Sequence, residues 1–283
     1  MDQYEKRGYL NSDFKLFHLL DSKKQQFEYH YHDFDKIIIF IRGSVTYRIE
    51  GCTYLLNPYD IILVGHNDIH KPDINSDVPY ERIIVYLSPG FLSAYQGDNY
   101  DLSDCFKKSK ELHSHVIRIH SMEKSSLYLT LTNLEHACTH NGYAKDLYCQ
   151  VVFLEFMIQL NRASATNRVQ YMQPATGDLR ILKILDYLNS HLTEDMTVDT
   201  IAEACFISRY HLMHRFKQQT GYTLFDYITE KRLLFARNSL KSGRSVTEVC
   251  FQSGFKNYST FSRAYKKQFH LSPSDTKREQ NHL

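Results

Sequence analysis

Between Phe27 and Leu87 apolar residues come in short runs, some alternating with polar ones and some unbroken, separated by turn residues. The runs are Phe27–His32, Lys36–Ile41, Ser44–Glu50, Thr53–Leu56, Ile61–Val64 and Tyr80–Leu87. The breaks fall at Arg42-Gly43, Glu50-Gly51, Asn57-Pro58-Tyr59-Asp60 and Ser76-Asp77. Short strands at this spacing predict a small antiparallel sandwich or barrel. After Glu123 the period lengthens to that of a helix, and two are expected, Glu123–Thr139 and Tyr143–Arg162, parted by Asn141-Gly142. The second carries Leu147, Val151, Leu154 and Ile158 at helical spacing beside Val152, Phe153, Phe156 and Met157. That surface is wider than one stripe and calls for a second packing partner. Residues 163–177, rich in Ala, Ser, Thr and Asn and closed by Pro174-Ala175-Thr176-Gly177, read as a flexible linker between a domain over 1–162 and another over 178–283.

From Asp178 the pattern is helical throughout. Ile181, Leu185, Leu188 and Leu192 form the stripe of one amphipathic helix. Thr197 caps a short helix over Val198–Ala204, Cys205-Phe206-Ile207 makes a turn, and Ser208 caps a helix that stops at Thr220-Gly221. A long helix follows over Leu224–Leu240, with Leu224, Tyr227, Ile228, Leu234 and Phe235 expected on one face. The short-helix, turn, helix unit then repeats: Val246–Ser253, Gly254-Phe255, and a helix from Asn257 or Tyr258 to Phe269, with Pro273 barring its continuation. Ile201 to Phe216-Lys217 matches Val249 to Tyr265-Lys266, with one extra residue in the second turn.

The chain has 283 residues, 42% hydrophobic and 23% charged, an ordinary globular composition that excludes collagen-like and wholly disordered readings. The longest unbroken apolar run is Ile37–Ile41, and Glu155 interrupts Val151–Leu160, so no stretch is expected to span a bilayer. The start, Met1-Asp2-Gln3-Tyr4-Glu5-Lys6, lacks a signal-peptide pattern, and the expected location is the cytoplasm. Six cysteines without C-x-x-C spacing fit free thiols there. Charge is unevenly placed: residues 178–283 carry sixteen basic and eleven acidic side chains, net +5, and residues 1–177 carry eighteen and twenty-one, net −3. Two stretches contain bases and no carboxylate side chain: Ala204 to Phe225, with Arg209, Arg215 and Lys217, and Val249 to Ser274, with Lys256, Arg263, Lys266 and Lys267. Solvated helix faces usually mix both signs, so two copies of a surface for a polyanion are the better reading.

Ile201-Ala202, Ser208, Leu212, Phe216-Lys217, Gly221, Tyr227, Arg232-Leu233, Ala236 and Leu240, then Gly254-Phe255, Phe261, Arg263, Lys266 and Pro273, carry a resemblance. Residues 178–278 resemble the DNA-binding domain of the AraC/XylS family of transcription regulators, two helix-turn-helix units bridged by a long helix. Phe206 departs from that pattern, standing where the family usually has Gly, as does Thr276 where it often has Tyr. The resemblance implies double-stranded promoter DNA as partner, with the second helix of each unit in the major groove. The groove-facing positions it implies are Arg209, Tyr210, His211, Met213 and His214, then Tyr258, Ser259, Ser262 and Arg263. Arg209 and Arg263 pair with guanine or with phosphate, and the sequence leaves both open. Lys217, Lys256, Lys266 and Lys267 are expected on phosphates, and Leu212, Phe216, Phe261 and Tyr265 in the core. The same resemblance makes the helix pair before residue 163 a candidate homodimer interface, with burial against the sheet as the alternative.

In the N-terminal half, His30-x-His32, Gly43, Gly51, Pro58-x-Asp60 and His70 resemble the cupin barrel that many members of this family carry. The expected fold is therefore α+β: an antiparallel β-barrel with a helical hairpin, then an all-α domain. Cupin enzymes hold a metal with two histidines and a glutamate from the first motif and a third histidine from the second. The glutamate position falls on Lys36, whose ammonium cannot ligate and repels a cation, so no metal or other cofactor is expected. Instead His30, His32, Lys36, Tyr47, His70 and Arg82 are expected to line a pocket for a small polar or anionic effector. The leading reading is a one-component transcription regulator without catalytic residues. A metal-dependent cupin enzyme fused to a DNA-binding module, and a regulator whose barrel only dimerises, are the competing ones.

Overall fold

The computed structural model describes residues 5–6, 10, 12–21, 27–75, 78–119, 122–139, 141–175 and 179–280. The expected turn at Ser76-Asp77 lies outside them. The chain divides into two compact units, residues 1–177 and 178–283.

The first unit opens with β1 (Glu5–Lys6), β2 (Phe14–Asp21), β3 (His30–Tyr31), β4 (Asp35–Arg42), β5 (Val45–Ile49), β6 (Cys52–Leu55), β7 (Ile61–Val64), β8 (His70–Ile74) and β9 (Tyr80–Leu87). A small hairpin, β10 (Gln96–Gly97) and β11 (Tyr100–Asp101), leads to α1 (Asp104–Glu111), β12 (Val116–Ile119), α2 (Ser126–Thr139), α3 (Lys145–Ala165) and β13 (Val169–Tyr171). The strands make two sheets, in the orders β1-β3-β8-β5-β6 and β13-β12-β7-β4-β9-β2. They form two separate sheets that do not close on each other, within the antiparallel sandwich or barrel expected.

The larger sheet is covered on both faces, and its strand side chains divide by parity, as the pleat requires. Ile37, Ile39, Ile61, Leu63, Ile83 and Val85 enter one core with Leu127, Leu131, Leu134, Phe153, Phe156 and Met157 of α2 and α3. The intervening positions of β4 and β9, Lys36 opposite Tyr86, Ile38 opposite Ile84 and Phe40 opposite Arg82, point the other way. Residues 36–40 are buried without a break for this reason. Each fully buried aliphatic contributes about 1.5–3 kcal/mol, so the helical layer fixes this sheet firmly.

The stretch expected as a linker is largely built into the first unit. Helix α3 runs on to Ala165, and β13 pairs with β12, Tyr171 opposite Ile117. The Ala175 N–H donates to the Thr53 carbonyl at 2.8 Å. Thr176 and Gly177 lie outside the described residues. Polar composition misled here because β13 buries only Tyr171, whose hydroxyl bonds Ser164 at 3.3 Å.

The second unit holds α4 (Leu179–Ser190), α5 (Val198–Ala204), α6 (Arg209–Thr220), α7 (Leu224–Lys241), α8 (Val246–Gln252), α9 (Tyr258–Phe269) and α10 (Pro273–Gln280). Side-chain caps start them: Thr197 with Thr200 in a capping box, Ser208, Thr223 and Ser245, and Asn257, whose side-chain oxygen accepts from Ser259 and Thr260. Gly221, at φ 78°, ends α6 in the left-handed region that favours glycine. Leu212, Phe216, Phe261 and Tyr265 are fully buried. On α7, Leu224, Tyr227, Ile228 and Leu234 are buried as expected, and Phe235 is exposed. Leu233 and Ala236 take the inward positions beside it and pack on Val249, Cys250 and Phe261.

Candidate functional site

His30, His32, Lys36, Tyr47, His70 and Arg82 are all buried, between 0% and 7% exposed. His30 and His70 are direct cross-strand partners on β3 and β8. Their ring centroids lie 4.4 Å apart, with His32 at 5.1 Å from the first and 5.0 Å from the second. Tyr47 of β5 stacks parallel to His70 at 6.1 Å. From the larger sheet Tyr86 closes on His32 at 6.0 Å, and the Lys36 ammonium lies 5.9 Å from the Tyr86 ring. Alternation along two facing sheets thus gathers five of the six expected residues into one polar interior.

Arg82 plays a different part. Its guanidinium pairs with Asp21 at 2.6 Å, donates to the Tyr80 carbonyl at 3.2 Å and lies over the Tyr80 ring at 4.1 Å. Among the described residues no carboxylate pairs with Lys36. Burial, reinforced by the Arg82 charge, lowers its pKa to about 7. Burial likewise lowers His70 well below the usual imidazole range, helped by the charges of His30, Lys36 and His32, and raises the Tyr47 phenol.

The three imidazoles fit a metal and the fourth position does not. One ligating nitrogen from each of His30, His32 and His70 lies within 4.8 Å of the others, the one such group among the described residues. His70 Nε2 is buried without a hydrogen-bond partner. Lys36 holds the sequence position of the motif's glutamate, so the motif supplies no carboxylate as a fourth ligand. The three histidines are the ones the cupin motif names, and the β3–β8 register sets His30 directly opposite His70.

In the second unit, Arg209, Tyr210, His211, Met213, His214, Lys217, Lys256, Tyr258, Ser259, Arg263, Lys266 and Lys267 are exposed, and Ser262 is half-buried. Several already have partners: Arg209 pairs with Asp199 at 3.2 Å, Lys256 with Asp195, and Arg263 Nε donates to its own helix at the Ser259 carbonyl. Tyr210 and His214 stack one turn apart at 5.8 Å, and His211 Nδ1 meets the capping Ser208 hydroxyl at 3.1 Å. The Arg209 and Lys256 ion pairs are exposed and worth at most about 1 kcal/mol, so a phosphate or base displaces them readily.

Two turns of one design present these helices. Cys205, Phe206 and Ile207 donate to the carbonyls of Ile201, Glu203 and Ala202; Ser253, Gly254 and Phe255 donate to those of Val249, Phe251 and Cys250. Family models for a helix-turn-helix domain and for an AraC-like ligand binding domain match residues 201–279 and 18–121. The chain belongs to the AraC family. The HTH-type transcriptional activator RhaS of Citrobacter koseri is 24% identical over 258 residues, 91% of this chain and 90% of that one. RhaS of Escherichia coli strain SE11 is 25% identical over 250 residues, 88% and 87% of the two chains. Among solved structures, ToxT from Vibrio cholerae is similar over 94% of this chain and 98% of its own, at 16% identity and a TM-score of 0.38. The DNA-binding domain of AdpA, solved with a target DNA, is similar over 36% of this chain and 92% of its own, at 24% identity and a TM-score of 0.35. The AraC-family chain is a DNA-binding transcription regulator rather than an enzyme, with an N-terminal ligand-binding domain. No helix among the described residues is long and apolar enough to cross a membrane.

The sequence reading missed two features of this AraC-family protein. Asp60, 1% exposed, accepts Arg118 Nε at 2.8 Å and Nη2 at 2.6 Å, clamping the β6–β7 turn to β12. Glu230 of α7, 6% exposed, accepts from the Gln268 amide of α9 at 2.6 Å, and burial raises its pKa to about 8. A polar residue followed by a run of four apolar ones, as at Asp60, was the available signal for the first.

Proposed function

We infer that α6 and α9 enter two successive major-groove segments of a promoter, and that the first unit takes a small polar or anionic effector between its sheets. The observation that carries the DNA reading is a duplicated surface. Two capped helices, each behind the same hydrogen-bonded turn, offer exposed cations and aromatic rings and contain no carboxylate side chain. Arg209, Tyr210, His211, Met213 and His214, with Tyr258, Ser259, Ser262 and Arg263, face base edges; Lys217, Lys256, Lys266 and Lys267 neutralise phosphates. His30, His32, Lys36, Tyr47 and His70 surround the effector, and Arg82, tied to Asp21, shapes the wall. The effector acts by binding one arrangement of the protein better than another.

The protein works in the cytoplasm as a homodimer. Support for the dimer comes from α3, where Leu147, Val151 and Ile158 are exposed at 61%, 54% and 40%, with Leu154 half-buried between them. The spacing of four, three and four is that of a coiled-coil seam.

Fluorescence anisotropy across a salt series, with DNA from upstream of the protein's own and neighbouring genes and random DNA as competitor, tests this reading. Selective binding with log affinity falling against log salt is expected, and equal affinity for all sequences at every salt would overturn it. Arg263→Ala should weaken specific binding by about 1–3 kcal/mol and flatten discrimination at one half-site.

A further inference from the structure

We propose that Lys36 captures a short hydroxyaldehyde as a reversible imine, with His70 Nε2 accepting the hydroxyl of the bound molecule. This rests on reading the first unit as effector-binding and names the chemical class of that effector.

The amine is placed for it. Lys36 lies on the face of β4 turned away from the helical layer and is 7% exposed. Its nitrogen sits 5.9 Å from the Tyr86 ring, which lies 6.0 Å from the ring of His32. Among the described residues no carboxylate pairs with it, and the charge it meets is that of Arg82, whose guanidinium is itself paired with Asp21. A buried ammonium without a counter-ion sheds its proton. A pKa of about 7 agrees. At neutral pH about half of Lys36 is then free amine, against roughly one part in a few thousand for an exposed lysine. A desolvated lysine beside another cation is the form of this side chain that attacks carbonyl carbon.

His70 supplies the second point of recognition. Its Nδ1 lies 2.9 Å from the Asp68 carbonyl, which only accepts, so Nδ1 carries the hydrogen and Nε2 the lone pair. Nε2 is buried without a hydrogen-bond partner. A ligand hydroxyl completes a buried acceptor of this kind. Lys36 is close enough for its charge to be felt at His70. A small molecule with an aldehyde and a neighbouring hydroxyl therefore meets both groups.

The chemistry balances within this pair. The Lys36 nitrogen adds to the aldehyde carbon, gives up one proton as the carbonyl oxygen gains one, and leaves a carbinolamine. Loss of the new hydroxyl together with the remaining nitrogen proton forms the C=N bond and releases one water. No electrons are exchanged, and water reverses the step.

The test incubates the full-length protein at pH 7 with glycolaldehyde and cyanoborohydride, which reduces the imine to a stable secondary amine, and maps the labelled lysines by peptide mass spectrometry. Lys36 should label at least about tenfold faster than any exposed lysine, an advantage lost near pH 10 where exposed lysines also become free amines. Labelling of Lys36 no faster than that of exposed lysines would overturn the proposal. Acetaldehyde lacks the hydroxyl and, measured against the exposed lysines of the same sample, should label Lys36 about five- to tenfold more slowly than glycolaldehyde does. His70→Leu, or His70→Phe if the first fails to fold by circular dichroism, should erase that preference; an unchanged preference would remove His70 from the site. Promoter affinity by anisotropy, with glycolaldehyde and no reductant, separates this inference from the reading beneath it. The aldehyde should shift that affinity, and Lys36→Met, or Lys36→Gln if the first does not fold, should lose the shift. A labelled Lys36 with DNA affinity unchanged counts against the effector reading alone, and a shift that the Lys36 variants keep in full counts against the imine alone.

Discussion

The two helix-turn-helix units close their turns with the same three backbone hydrogen bonds but place very different residues at the left-handed position. In the first it is Phe206, at φ 54° with its ring 96% exposed; in the second it is Gly254, at φ 81°. The neighbour explains the difference. A Cβ on Gly254 would lie 2.8 Å from the guanidinium of Arg232. That guanidinium donates to the carbonyls of Leu192, Gly254 and Glu194 at 2.8, 2.8 and 2.5 Å. One side chain of α7 thereby joins the connection between α4 and α5 to the turn of the second helix-turn-helix. Backbone strain alone permits a large residue at such a turn; the packed guanidinium is what demands glycine.

Removing the tether should have the largest effect. Arg232→Ala leaves three carbonyls without that donor and should cost about 2–4 kcal/mol in urea unfolding. A loss under about 0.5 kcal/mol would show that water replaces the guanidinium without penalty.

Gly254→Ala comes next, at about 1–3 kcal/mol, since it combines an unfavourable φ with displacement of a side chain held by three hydrogen bonds. In the Arg232→Ala background that cost should shrink to the φ component, about 1 kcal/mol. Full additivity of the two substitutions would break the explanation.

Glu230 sharpens the comparison on the second unit's side, because it ties α7 to α9 through Gln268. Its folded pKa of about 8 lies above that of the unfolded chain. Stability from this group is therefore fully present below the unfolded carboxylate pKa and is lost as pH rises toward 8. Between pH 5 and 8 the loss should be on the order of 1–3 kcal/mol, and Glu230→Gln should abolish it. A wild-type melting temperature that rises over this window would contradict the assignment.

The smallest effect belongs to the first turn. Phe206→Gly relieves the left-handed penalty with no neighbour to disturb and should stabilise by about 0.5–1 kcal/mol in thermal unfolding. Destabilisation would mean that the exposed ring makes contacts that matter.

The repeat in the second unit was legible because each helix announces itself with a cap and a buried stripe at 3.6-residue spacing. Phe235 was misplaced because it adjoins Leu234 in sequence while turning away from it on the helix. The first unit was harder to read. Strand β2 is half-buried along most of its length and shows no clean alternation, β8 contains Pro72, and β13 has three residues with one buried. The pocket residues could be nominated from the histidine motif. That His30 and His70 oppose each other was not readable, because register depends on hydrogen bonds between strands 40 positions apart in the chain.

The parity of β4 has an evolutionary consequence. Its even positions look toward the histidines and its odd positions toward α2 and α3, so drift on one side leaves the other untouched. Substitutions at 36, 38 and 40 can retune what the protein senses while the helical layer keeps its packing. A single-residue insertion in the strand would exchange the two sets and ruin both. Point substitution is therefore the open road by which this lineage acquires new signals, and length change within β4 is the closed one.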